Sequence, residues 1–189
     1  MKNILLIVDP QNDFITGSLA VEGAEERMMK LAQHIREKGH KYDAIWVTRD
    51  SHSKSHCSFK ENGGIWNPHC ILGTKGWSIP NYLGEALLLY SDYSGKSVIY
   101  YDKGTDINKE EYSIFENKIN GFVLYKQIRE LNKKGEEFDI SVCGIAGDYC
   151  VLETIKGLRK YIGDSYITVL FEYIASIDGG QKLKEYVSF

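Results

Sequence analysis

Cysteine is scarce in this sequence. Cys57, Cys70, Cys143 and Cys150 are the four in 189 residues, too few for a disulfide framework in a chain this long. Neither sign of charge dominates: 23 lysines and arginines stand against 26 aspartates and glutamates, a formal net charge of −3. The basic stripe that nucleic acid requires is missing, so no nucleic-acid partner is expected. No apolar run approaches the roughly 20 residues that span a bilayer, so no membrane partner is expected. The apolar run at residues 4–8 is cut short by Asp9 and lacks the small-residue cleavage site of a signal peptide. A buried strand accounts for it better. A cytoplasmic protein with reduced thiols is the expectation.

What is present is ordinary for a folded domain: 43% hydrophobic and 26% charged residues. There is no internal repeat, low-complexity tract or linker, so residues 1–189 are expected to form a single domain. Aliphatic runs at 3–8, 44–48, 97–101, 138–143 and 166–171 read as strands. Residues 23–38 read as a helix with Met28, Leu31, Ala32 and Ile35 on one face and Gly39 as its stop. Further helices are expected at 82–90, 121–134, 148–161 and 181–187. Strands alternating with helices point to an α/β fold around a parallel sheet. Residues 49–80 are irregular and rich in Ser, Gly, His and Asn, too long for a plain connection and therefore functional.

In such a sheet, ligands bind along the edge formed by the carboxyl ends of the strands. Asp9 follows the first expected strand, Asp50 and His52 the second, Asp102 and Lys103 the third, and Cys150 the fourth. An acid, a cation, a thiol and metal-ligating groups thus reach one rim from distant points in the chain. Cys150 stands where a helix should begin after a strand, and a helix N-terminus lowers a thiol pKa. Each residue also has a plainer reading. Cys150 alone reads equally well as a buried structural cysteine, Asp9 as a turn acid before Pro10, and Lys103 as a solvated lysine before Gly104.

Six ordered motifs weigh against the plainer readings. They are Asp9-Pro10-Gln11-Asn12-Asp13-Phe14, Arg49-Asp50-Ser51-His52, Trp66-Asn67-Pro68-His69-Cys70, Lys103-Gly104-Thr105-Asp106, Tyr112-Ser113-Ile114-Phe115 and Gly144-Ile145-Ala146-Gly147-Asp148-Tyr149-Cys150-Val151. Together they resemble the nicotinamidases of the isochorismatase-like cysteine hydrolase superfamily. The resemblance implies a three-layer α/β/α sandwich around a mostly parallel sheet. It implies hydrolysis of nicotinamide, and of its isostere pyrazinamide, through a cysteine thioester. It implies Asp9, Lys103 and Cys150 as catalytic residues. The backbone N–H groups of Ala146 and Cys150 become the oxyanion hole, beside a cis peptide at Ile145–Ala146. Phe14, Trp66 and Tyr112 are implied as the walls of the substrate pocket, and self-association is common among relatives. Gly147 departs from the threonine usual at its position.

Asp50, His52 and His69 offer one carboxylate and two imidazoles, a donor set that suits zinc, iron or manganese and leaves positions open. The resemblance makes them the ligands of one divalent metal, zinc foremost, that binds the pyridine nitrogen. His56 is left open as a further ligand. Two rivals remain: a closed structural site drawing on Cys57 and Cys70, and histidines scattered for packing. His34 and His40 are expected to be solvated. A related hydrolase of another small amide, or a non-catalytic metal-binding protein on the same fold, would share many of these residues.

Overall fold

A five-stranded sheet in the order β3-β2-β1-β4-β5, parallel throughout, forms the centre of the molecule. The computed structural model describes residues 1–133, 135 and 137–188. Strand β1 (Lys2–Val8) is buried from Ile4 onward because β2 (Ala44–Asp50) and β4 (Phe138–Ile145) flank it and helices cover both faces. Strands β3 (Val98–Lys103) and β5 (Ile167–Ala175) form the edges. A single helical turn, α1 (Asn12–Ile15), follows β1. The main helices are α2 (Ala24–Lys38), α3 (Asn81–Ser94), α4 (Asn120–Lys133) and α5 (Leu152–Ile162), with α6 (Gln181–Val187) last.

The strand order fixes the layers. The chain moves outward from β1 to β2 to β3, then returns across the sheet to β4. Right-handed crossovers therefore put α2 and α3 on one face and α4 and α5 on the other. This is the expected three-layer α/β/α sandwich. Met28, Leu31, Ala32 and Ile35 are all buried, as the helical spacing requires. Among the described residues no helix is long and apolar enough to cross a membrane.

Several boundaries differ from the sequence reading. Strand β2 runs on to Asp50 and β3 to Lys103, because these charged residues find partners inside the protein. Helix α3 is longer than expected, and Gly95 in a left-handed conformation ends it. The helix expected at 121–134 is observed to Lys133, and Lys134 lies outside the described residues. The helix expected at 148–161 is divided: Gly147–Val151 forms a wider π-type turn, and α5 begins only at Leu152. Strand β5 extends to Ala175 past an irregularity opposite Val142 and Gly144.

Candidate active site and metal centre

The strand order reverses between β1 and β4, where a parallel sheet opens a crevice at its carboxyl edge. Asp9 leaves β1 there in a left-handed conformation, φ 48°, a backbone state uncommon outside glycine. Its N–H donates to the Thr48 carbonyl at 3.1 Å, and its carbonyl accepts from Gln11 N at 2.8 Å. These bonds turn the carboxylate into the crevice. Thr48 Oγ1 donates to Asp9 Oδ1 at 2.7 Å.

Lys103, the last residue of β3, is completely buried. Its ammonium lies 2.8 Å from Asp9 Oδ2 and 2.6 Å from Asp50 Oδ1. It also donates to the Glu111 carbonyl at 3.1 Å and approaches Cys150 Sγ at 3.6 Å. Burial alone would drive this amine to its neutral form. Asp50, Asp9 and Cys150 outweigh burial and raise its pKa well above the usual value, so it stays charged.

The two carboxylates respond differently to the same cation. Burial pushes the Asp9 carboxyl up; Lys103 opposes this and Asp50 reinforces it, leaving the pKa raised. Burial acts on Asp50 in the same sense, but Lys103, His52 and His69 outweigh it and hold that carboxyl well below its usual range. Asp9 thus has the character of a base and Asp50 that of a permanent anion.

Cys150 is 7% exposed and sits in the π-type turn after β4. The expected lowering of its pKa is corrected here. Burial pushes the thiol well above its usual value, and Asp9 and Asp50 add to that against the pull of Lys103. The thiol is buried in the wider turn, and burial is the largest of these effects. The resting group is a neutral thiol beside a base. The Ile145–Ala146 peptide before it is cis. The Ala146 carbonyl accepts from Tyr149 N at 3.2 Å and Val151 N at 3.0 Å, on either side of Cys150.

Asp50, His52 and His69 converge: one ligand atom from each lies within 4.8 Å of the others. Their hydrogen bonds fix the imidazole tautomers. His52 Nδ1 meets the Gly104 carbonyl at 2.9 Å and His69 Nδ1 meets the Asn67 carbonyl at 2.7 Å. A carbonyl only accepts, so both Nδ1 atoms carry hydrogen and both Nε2 atoms present a lone pair. His52 Nε2 is buried with no hydrogen-bond partner, a state that a metal ion relieves. The donor set therefore fits a divalent metal. Gly104 is required for this geometry. Its φ is +65°, and a Cβ there would run into the His52 ring.

His56 lies outside that group. Its ring is 4.0 Å from that of His52, but Ser58 N donates to its Nδ1 at 3.2 Å. Its Nε2, like that of His52, is buried with no hydrogen-bond partner. Cys57 and Cys70 join no metal-binding group among the described residues, which removes the closed Cys/His site. His34 is not solvated as expected. It bonds Tyr42 at 2.8 Å and Tyr173 at 3.0 Å, whereas His40 is exposed. Asp102 stays out of the crevice, paired with Arg49 at 2.9 Å.

A cavity opens above the thiol, and Phe14, Trp66 and Tyr112 are among the residues that wall it. Tyr149 was not foreseen. Its ring packs against Trp66 at 5.2 Å and Tyr112 at 5.5 Å. Glu110 and Ile177 also line the cavity. Burial, with Asp50, raises the Glu110 pKa against His52 and Lys103. Gln11 was missed as well. Its amide accepts from Asp50 N at 2.7 Å and donates to Asp50 O at 2.8 Å and Trp77 O at 2.9 Å. Gly147, the departure from the resemblance, has a local reason. A side chain there would occupy the place of the Ser176 hydroxyl. Beside it, Asp148 Oδ1 accepts from Ile177 N at 2.9 Å, holding that residue at the cavity wall.

No protein-family model matches the chain. Among curated proteins, the nicotinamidase/pyrazinamidase of Mycobacterium tuberculosis is 32% identical over 157 residues, covering 80% of this chain and 76% of that protein. The chain belongs to the nicotinamidase/pyrazinamidase family. Its fold agrees with that of pyrazinamidase from Pyrococcus horikoshii in complex with zinc, at TM-score 0.75 and 27% identity over 100% of this chain and 95% of the other. PnC1 from L. infantum in complex with nicotinate matches at TM-score 0.76 and 26% identity, over 99% of this chain and 86% of that one. The zinc complex of a family member accords with the divalent-metal donor set found in this chain.

Proposed function

We propose that the chain, acting as a single domain, hydrolyses nicotinamide to nicotinate and ammonia, and accepts pyrazinamide. One observation carries the reading. The Lys103 ammonium lies within reach of a base (Asp9, 2.8 Å), a thiol (Cys150, 3.6 Å) and a metal-ligating carboxylate (Asp50, 2.6 Å). The aromatic lining of the cavity beside them suits a flat ring.

In the first step Cys150 Sγ attacks the carboxamide carbon as its proton passes to Asp9. Lys103 keeps Asp9 in place and stabilises sulfur as it loses the proton. The N–H groups of Ala146 and Cys150 donate to the developing oxyanion. The C–N bond then breaks, and Asp9 returns the proton to the departing nitrogen, which leaves as ammonia. In the second step Asp9 takes a proton from water while its oxygen attacks the thioester. The C–S bond breaks, sulfur regains the proton, and nicotinic acid ionises to nicotinate. Asp50, His52 and His69 would hold the divalent metal, proposed as zinc; when bound, it supplies a Lewis acid for the pyridine nitrogen.

The test is ammonia release from nicotinamide by the metal-loaded wild type and by Cys150→Ala. Release by the wild type and its loss in the variant support the reading. A metal-loaded wild type that releases none overturns it.

A further inference from the structure

The cavity contains a carboxylate that the proposed reaction does not use. Glu110 is half-buried and lines the same cavity as Asp50, His69 and Cys150. Its Oε1 accepts from Glu111 N at 3.2 Å, which tethers the side chain. Glu111 is itself fixed, since its carboxylate accepts from Gly104 N at 2.8 Å and Asn117 Nδ2 at 2.9 Å. No lysine or arginine forms an ion pair with Glu110 among the described residues, so no direct salt bridge ties its carboxylate away from the cavity.

The charges around the cavity give this carboxylate a purpose. Asp9 and Asp50 are anionic and Lys103 is cationic. With a divalent metal bound, these groups, which meet at the thiol, leave one positive charge in excess; the Glu111 carboxylate is turned to Gly104 N and Asn117 Nδ2 and does not line the cavity. Such a pocket would hold an anion next to the thiol. The substrate of the proposed reaction is neutral and its product is an anion, so the excess charge would retain the product. Glu110 cancels it.

We infer that Glu110 sets specificity by charge, disfavouring the carboxylate product against the neutral carboxamide and so promoting product release. This rests on the nicotinamidase reading. Removing the charge should tighten nicotinate binding roughly tenfold relative to nicotinamide, the scale expected for one like charge a few ångströms away in a partly dry cleft.

The experiment is calorimetric titration of the metal-loaded protein with nicotinate and with nicotinamide, in a Cys150→Ala background where the amide is not consumed. Glu110→Gln and Glu110→Ser remove the charge, and Glu110→Asp keeps it. The expected result is a rise in the nicotinate-to-nicotinamide affinity ratio for the two uncharged variants, with Glu110→Asp close to Glu110. An unchanged ratio, or the same rise in Glu110→Asp, overturns the inference while leaving the reaction intact. Binding of neither ligand to the Cys150→Ala parent overturns the nicotinamidase reading itself.

Discussion

Lys103 Nζ lies 2.6 Å from Asp50 Oδ1, and through that contact one buried cation joins the metal-ligating cluster to the thiol and its base. Neither half is electrostatically independent. Without the ammonium, Asp9 and Asp50 would be two buried carboxylates facing one another. Without Asp50, Lys103 would be divided only between Asp9 and the thiol.

Lys103→Met is therefore expected to damage folding and chemistry together. The methionine fills similar volume, so the loss is one of charge and not of packing. Leaving buried carboxylates unpaired costs about 3–5 kcal/mol. Urea denaturation should report a drop of that order, and ammonia release should fall to background. Stability equal to wild type would show that the ion pairs contribute nothing net.

Asp9 sets the acid side of the activity profile. Its carboxyl is raised above the ordinary aspartate value of 3.8, and the reaction needs it ionised. Activity should be present above this raised pKa and fall as pH drops through it. Asp9→Asn removes the base and should lower kcat by about 10²–10⁴-fold, the usual range for a general base. The residual rate should lose the acid limb. A variant that kept the limb would assign it to another group.

Gln11 grips the Asp50 backbone from both sides, at 2.7 and 2.8 Å. It touches neither the thiol nor the cavity floor, so its effect should appear in metal affinity first. Residues that orient a ligand in this way typically account for 10–100-fold in metal binding. Gln11→Ala should weaken zinc binding by about that factor in a competition titration. It should also lower stability, because Asp50 N is left without its buried acceptor. Wild-type zinc affinity would reduce Gln11 to a loop contact.

The strands and the residues at their ends were legible in the sequence because both follow from short patterns. An aliphatic run such as 3–8 demands burial on two faces, and Asp9, Asp50 and Lys103 each mark the point where such a run meets the crevice. Residues 49–80 read as an irregular functional loop, and within it His52 and His69 stood out by donor type and, with Trp66, by the motif resemblance. Their convergence depends on contacts such as His52 N to Cys70 O at 3.1 Å, which have no local signal. The thiol environment was misread for a related reason. Helix-dipole reasoning uses neighbours in sequence, whereas burial, the largest effect on Cys150, and the carboxylates of Asp9 and Asp50 come from distant parts of the chain. Gln11 and Tyr149 lie within two of the six motifs, but their roles depend on partners 39 and 83 residues away. Ser176 had no motif at all.

Gly147 and Ser176 give the sharpest test of how the wall of the cavity is built. A Cβ on Gly147 would overlap the Ser176 hydroxyl and come 2.7 Å from Ile174 Cγ2. Gly147→Ala should therefore push the segment after β5 outward at a cost of about 1–3 kcal/mol, the range for overpacking a tight site. Ile177, held beside it by Asp148 at 2.9 Å, would move with the segment and open one side of the cavity. KM for nicotinamide should rise more than kcat falls, since the thiol and base are left in place. Ser176→Gly made together with Gly147→Ala removes the larger part of the clash. The double variant should recover most of the lost stability and KM, a coupling that a double-mutant cycle measures directly. Additive losses would mean that the glycine is needed for its backbone alone, and that Ser176 does not occupy the space a side chain at 147 would take.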